Sequence, residues 1–269
     1  MSSPEYRQYQ RRLRRRRLAV LGAQLLVLAG ALLLWETAAD RYWVNPMLTS
    51  KPSKVWVTLL SLGRTGSLWH HLWVTTQETL VGFAAGLLLG VGTAVALWWW
   101  APLGEVVDPY LVVLNALPKV ALGPIFYVWL GEKVSIYGMA VAIAMVVTVV
   151  MVAVAFRSVD PAKILLLQTL GATRRQVLQK VVFPASLPTL LAAVKVNIGL
   201  TLVGVIVGEF IASRAGLGYL IIYGGQVFQM ELVMTGVVLL VAISAVLYLA
   251  VSWLEAVVTR RYHLRAKEG

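Results

Sequence analysis

Six stretches of this chain are almost continuously apolar, at about 18–38, 74–99, 106–130, 134–156, 187–211 and 232–258. Each comes close to or exceeds the ~20 residues that an α-helix needs to cross a ~30 Å hydrocarbon layer. None alternates apolar and polar residues with the period of two that marks a barrel strand. The pattern therefore predicts an all-α integral membrane protein with six transmembrane helices. It divides the chain into a basic tail at 1–17, a six-span bundle at 18–258 and a short tail at 259–269.

The polar residues inside the spans say where the helices are special. In the second span, "GFAAGLLLG" sets Gly82, Gly86 and Gly90 on one helix face, a groove into which another backbone can pack. Gly204 and Gly208 mark a similar face on the fifth span. The third span, "DPYLVVLNALPKVALGPIFYVWLG", contains Pro118 and Pro124, each removing a helix hydrogen bond. Asn115 and Lys119 stand within a turn of Pro118. Exposed backbone and polar side chains at membrane depth are tolerated only against protein or a water-filled cavity. The break reads as a translocation pathway, with a kinked structural helix as the alternative. In the fifth span Asn197 and Glu209 join the pathway candidates, since intramembrane polar and ionisable groups face cavities or partners. Glu209 is expected otherwise to cap the break after it or to pair with Arg214, and Lys195 to serve the pathway or snorkel to the interface.

Between the fourth and fifth spans, residues 157–186 are too polar to cross. Asp160 and Pro161 make a helix start, Gly171 predicts a corner between two short helices, and Pro184 is expected to stop the second of them. One face carries Leu166, Leu170, Val177 and Val181, the other Arg174, Arg175 and Lys180. On physical grounds this is either an amphipathic helix in the headgroup layer or a docking element for a partner.

Charge fixes the expected orientation. Sixteen lysines and arginines fall on the side of the two termini and of the 157–186 segment, and six on the other, which puts both termini in the cytoplasm. The net charge of +12 is not a nucleic-acid signature, because the basic residues are juxtamembrane and no sizeable soluble domain carries them. With 59% hydrophobic and 13% charged residues, the chain departs from soluble proteins, at about 45–50% and 25%. The opening basic and apolar run has the outline of a signal peptide, but its apolar part is too long, favouring an uncleaved first span. Ser53 is expected to cap a short interfacial helix carrying Trp56, Leu59 and Leu60. His70 and His71, beside Trp69 and Trp73, read as an interfacial belt in preference to a metal site. Cysteine is absent, so thiol chemistry is excluded. Clustered catalytic groups are not evident, and no "GxxxxGK[ST]" loop occurs to hold ATP phosphates.

"LGATRRQVLQKVVFPASLP" resembles the cytoplasmic EAA loop of permease subunits of ABC importers. That loop has a glycine, nine residues, an aliphatic residue, one more, then Leu-Pro; Gly171, Val181, Phe183 and Pro184 occupy these places, with phenylalanine for leucine. "LNALPKVALGPI" and "GEFIASRAGLGYLI" resemble the third and fifth spans of the nitrate/sulfonate/taurine branch, and the likeness covers residues 50–258. It implies a type I importer (MetI-like) bundle with a cytoplasmic coupling helix, located in a bacterial cell membrane. It also implies a second permease copy, two ATP-binding subunits that hold ATP and magnesium, and an extracytoplasmic solute-binding protein. This chain itself would carry no cofactor and hydrolyse no ATP. The ATPase-coupling residues would be Leu165, Leu170, Gly171, Ala172, Arg174, Arg175, Val181 and Pro184. Where the loop should read Glu-Ala-Ala, residues 165–167 are three leucines, so docking would rest on packing around Gly171 and on the two arginines. The solute would be a small organic anion such as a sulfonate, or alternatively a pyrimidine, thiamine or flavin precursor. An ion-coupled carrier without an ATPase is the alternative of another class; it would need more midplane carboxylates than Glu209.

Overall fold

The structure is a computed structural model that describes residues 4–268, with side chains for 12–260. Arg7 and Arg11 of the first tail, and Arg261, Arg265 and Lys267 of the last, have side chains outside that range. Among the described residues the regular structure is entirely helical. The elements are α1 (Pro4–Asp40), α2 (Pro46–Thr49), α3 (Pro52–Arg64), α4 (Ser67–Trp99), α5 (Ala101–Ala116), α6 (Gly123–Arg157), α7 (Pro161–Thr169), α8 (Arg174–Val177), α9 (Phe183–Ala212), α10 (Leu217–Gln226) and α11 (Met230–Glu268).

Among the described residues, five stretches are long and apolar enough to cross a membrane: Arg12–Asp40, Ser67–Trp99, Lys119–Arg157, Arg174–Ala212 and Met230–Arg260. The expected third span at 106–130 is not one helix. It is α5, an extended Leu117, Pro118, a 3-10 turn at Lys119–Leu122, and the first part of α6. A second break at Gly131, with φ 76° and ψ 178°, separates that part from the remainder of α6. Pro118 lies in the gap, and Pro124 falls in the first turn of α6, where a missing N–H costs nothing.

The core is a three-helix sandwich with α6 in the middle. A Cβ at Gly82 or Gly86 would lie 2.6 Å from the Cβ of Ala140 or Ala144, and one at Gly90 2.4 Å from that of Thr148. From the other side, a Cβ at Gly204 would come within 2.9 Å of the Ala140 Cα, and at Gly208 within 2.8 Å of the Ile136 Cα. Lipid gives helices no hydrophobic reason to associate, so close backbone approach and dispersion hold such a seam together. Interhelical hydrogen bonds add to it: between α9 and α6, the fully buried Asn197 donates through Nδ2 to Thr148 Oγ1 at 2.8 Å and the Ser186 hydroxyl to the Ala155 carbonyl at 3.2 Å.

Helix α1 stands apart, with none of its most apolar window buried. It is tied down at its C-terminal end. The Glu36 carboxylate accepts from the Ser53 backbone N–H at 2.9 Å and from the Ser53 hydroxyl at 2.7 Å. Ser53 is thus not the expected cap of α3; Lys51 holds that position without a side-chain bond, and Glu36 supplies the acceptor. Lys51 bonds Asp40 at 2.8 Å, which raises its pKa above the usual lysine range. Trp56 and Leu60 are exposed on α3.

Candidate functional site

Three places bring polar or unusual residues together. The first is the elbow at 157–186. Asp160 caps α7 by accepting from the Ala162 N–H at 2.9 Å. The helix ends at Gly171, whose φ of +81° suits glycine. There Gly171 N–H donates to the Gln168 carbonyl and Ala172 N–H to that of Leu167, the two bonds of a Schellman closure. Thr173 and Gln176 then form a capping box that starts α8. The corner is therefore closed on both sides by its own hydrogen bonds.

Pro184 does not stop the second helix. Residues Arg174 to Ala212 form one continuous stretch through a π turn at Leu178–Val182, in which the Phe183 N–H reaches back five residues to the Leu178 carbonyl. The wider turn carries the chain past the proline ring without ending the helix.

The elbow has a dry underside and an open upper face. Val159, Val177, Leu178 and Val182 are buried with Ala94, Val152, Phe156 and Leu190, and Ala172 and Val181 pack on them partly buried. Leu165, Leu166 and Leu170 are 60%, 61% and 74% exposed, and Arg174 and Arg175 are exposed beside them. The three-leucine sequence at 165–167 thus puts two apolar side chains outward and one, Leu167, inward.

The second place is the break in the third span. Asn115 and Pro118 are exposed, Lys119 is half-buried, and Lys119 Nζ donates to the Asn115 carbonyl at 3.1 Å. The lysine thereby serves a carbonyl at the frayed end of α5. Asn197 and Glu209, expected to share this pathway, are not at the break. Both are buried between helices, Asn197 against Thr148 and Glu209 at the far end of α9. Glu209 and the Asn197 amide nitrogen find partners there, while Asn197 Oδ1 is buried without a hydrogen-bond partner.

The third place is the cluster around Glu209. Its Oε1 accepts from the Thr75 hydroxyl at 2.7 Å and its Oε2 from the Gly218 N–H at 2.5 Å. Thr75 Oγ1 in turn accepts from the Leu217 N–H at 2.8 Å, and His71 Nδ1 from the Gly216 N–H at 3.0 Å. Glu78, nine-tenths buried on the same face of α4, lies beside Glu209, and its Oε2 has no hydrogen-bond partner. Gly216 (φ +109°) and Gly218 leave the space for the carboxyl: a Cβ would lie 2.4 Å or 2.8 Å from Glu209. The turn from Ser213 to Gly218 is thus bolted to α4 by side chains. Arg214 does not pair with Glu209; it reaches Glu132 at 3.0 Å, beside the Gly131 break. His71 lies inside this cluster and not in an interfacial belt. Glu78 was not anticipated as a second buried carboxylate, although His71, Thr75 and Glu78 recur at i, i+4 and i+7, one face of a helix. Lys195 forms an ion pair with Glu255.

A helical bundle with an interrupted span, a rigid elbow and these buried polar ties defines a multi-pass membrane protein. A family model described as "Binding-protein-dependent transport system inner membrane component" matches residues 86–264, and the chain belongs to that family. The chain is 30% identical over 236 residues to a probable ABC transporter permease protein of Haemophilus influenzae, covering 86% of this chain and 94% of that one. It is 27% identical to the taurine transport system permease protein TauC of Escherichia coli, over 85% of both chains. A chain of the MetNI methionine ABC transporter in an inward-facing conformation superposes with a TM-score of 0.62 at 22% identity, over 70% of this chain and 94% of that one, and it shows the same fold.

Proposed function

We propose that this chain is the membrane-spanning subunit of an ATP-driven importer for a small organic anion, a sulfonate such as taurine being the favoured class. Two copies form the translocation pathway, two cytoplasmic ATPase subunits bind beneath them, and a solute-binding protein delivers substrate to the opposite face. Both termini and the 157–186 elbow are cytoplasmic. The relatives support this reading, TauC in particular supporting the solute class.

The observation that carries the coupling role is the two-sided elbow. Its underside is fused to the bundle, while Leu165, Leu166, Leu170 and Arg175 are exposed on a corner closed by its own hydrogen bonds, and Arg174, also exposed, leans toward Trp98. Such a part moves as a unit. An ATPase that grips the outer face displaces the ends of α6 and α9 with it. To switch a two-state bundle almost completely, nucleotide must favour one state by about 5.5 kcal/mol. The broken arm with Asn115, Pro118 and Lys119 lines the pathway, where the lysine suits an anion.

The test is Gly171→Val in the assembled importer. A β-branched residue is strained at this φ, and no neighbour stands within 4 Å of the new Cβ. The variant is expected to lose co-purification with the ATPase, or uptake per ATP hydrolysed, while the bundle stays folded. Unchanged association and transport would refute the coupling role, and a wild-type chain that retains no ATPase would refute the whole reading.

A further inference from the structure

Helix α5 is held only lightly. Leu111 packs with Leu97 and Val149, and Gly104 lies against the Leu97 carbonyl. Between α5 and the elbow lies a cavity of about 730 Å³ lined by Trp98, Glu105, Asp108, Arg157, Ile164 and Arg174 among others. Close packing therefore does not carry force from α7 and α8 to α5. Two polar contacts lie on the cavity wall, and one of them reaches α5. Arg157, the last residue of α6 before the elbow, holds Asp108 of α5 at 3.0 Å. Arg174, the first residue of α8, lies with its guanidinium 5.9 Å from the centre of the Trp98 ring at the end of α4.

The two contacts differ in what they join. Arg174 ties the elbow to α4, which is already fixed in the three-helix sandwich. Arg157 ties it to α5, whose other end is the break carrying Asn115, Pro118 and Lys119. From these positions we infer that the Asp108–Arg157 ion pair is the linkage through which displacement of the elbow moves the broken arm. Asp108 and Arg157 are positioning residues for transport. Both side chains are about half-exposed, so the pair adds little to folding stability. Its effect lies in orienting α5 relative to the end of α6. The inference rests on the proposed function, because it presumes that the elbow is driven.

The experiment uses the complete importer in proteoliposomes, comparing wild type, Asp108→Asn, Arg157→Gln, and the reversed pair Asp108→Lys with Arg157→Glu. Each single change is expected to lower uptake per ATP hydrolysed by about two- to five-fold, the factor that a half-exposed ion pair supports, with the thermal midpoint unmoved. The reversed pair is expected to regain most of the loss, which a merely structural role for either residue alone would not produce. If the single variants keep the wild-type ratio, or the reversed pair stays as low as the singles, the linkage is overturned. In either event a Gly171→Val ratio that still falls keeps the coupling elbow standing. If Gly171→Val is also without effect, or the wild type shows no ATP-dependent uptake, the proposed function fails and this inference with it.

Discussion

Replacing Gly204 with alanine adds one methyl group where α9 meets α6. The new Cβ would stand 2.9 Å from the Ala140 Cα, 3.1 Å from the Met139 carbonyl oxygen and 3.2 Å from the Ala140 nitrogen. All three are backbone atoms, so no rotamer relieves the contact and the two helices must separate by several tenths of an ångström. The shift is felt across the sandwich, because Ala140 is also the residue against which Gly82 of α4 packs. Gly199, on the same helix, has no atom within 4 Å of the equivalent position and serves as the control. Alanine in place of glycine favours a helix by roughly 0.5–1 kcal/mol, and that gain is common to both variants. The difference between them isolates the packing cost, about 1–3 kcal/mol for an overfilled interior. Unfolding of the purified chain in mixed micelles is expected to show Gly204→Ala less stable than Gly199→Ala by that amount, a factor of about 5 to 150 in the folding equilibrium. Equal stability of the two variants would mean that the close approach of α6 and α9 is not what holds the bundle.

Two further outcomes follow from the polar ties. Gly216→Ala strains a positive-φ, extended backbone (φ 109°, ψ 172°) that essentially only glycine adopts, and drives its Cβ into the Glu209 carboxyl. About 1–3 kcal/mol of backbone strain and about 1–3 kcal/mol for each buried hydrogen bond lost should lower the thermal midpoint well below that of an Arg214→Ala control; equal midpoints would remove the cluster from the list of structural ties. Glu36→Ala deletes both acceptors for Ser53 and one partner of Lys51. Trypsin is then expected to cut after Arg41 several-fold faster in detergent, and unchanged cleavage would show that α1 is anchored in another way.

Much of this architecture is legible in the sequence because it is local. The Asp160–Pro161 start and the Gly171 corner depend on hydrogen bonds a few residues apart, and the glycine stripes on helical period alone. The features that misled are those in which a distant group outbids a near one. Ser53 has the chemistry of a cap, yet Glu36, seventeen residues earlier, engages its N–H and hydroxyl. Arg214 is five residues from Glu209, yet Glu132 takes it, while Glu209 accepts from Thr75 of another helix. Pro184 has the local meaning of a stop. The π turn at Leu178–Val182 overrides it because Val177, Leu178 and Val182 are held in a tertiary cluster that keeps the helix together through the irregular turn.

The interrupted third span shows how the same chain keeps a stiff part beside a compliant one. Beyond Gly131, α6 is enclosed on two faces by glycine seams and buries Ile136, Ala140, Ala144 and Thr148. Before it, Val112, Val113, Leu114, Val120, Val128 and Trp129 are exposed on the single chain, together with Asn115 and the half-buried Lys119. Hydrocarbon would suit the valines but not the asparagine or the lysine, polar groups that are costly in lipid. One surface that carries both kinds of group needs a neighbour that offers apolar contact and access to water. The second permease subunit of the proposed assembly, enclosing an aqueous path, would meet both demands. Under the proposed function the loose packing of α5 would be a requirement, since an arm welded into the sandwich as α6 is could not alternate between two positions.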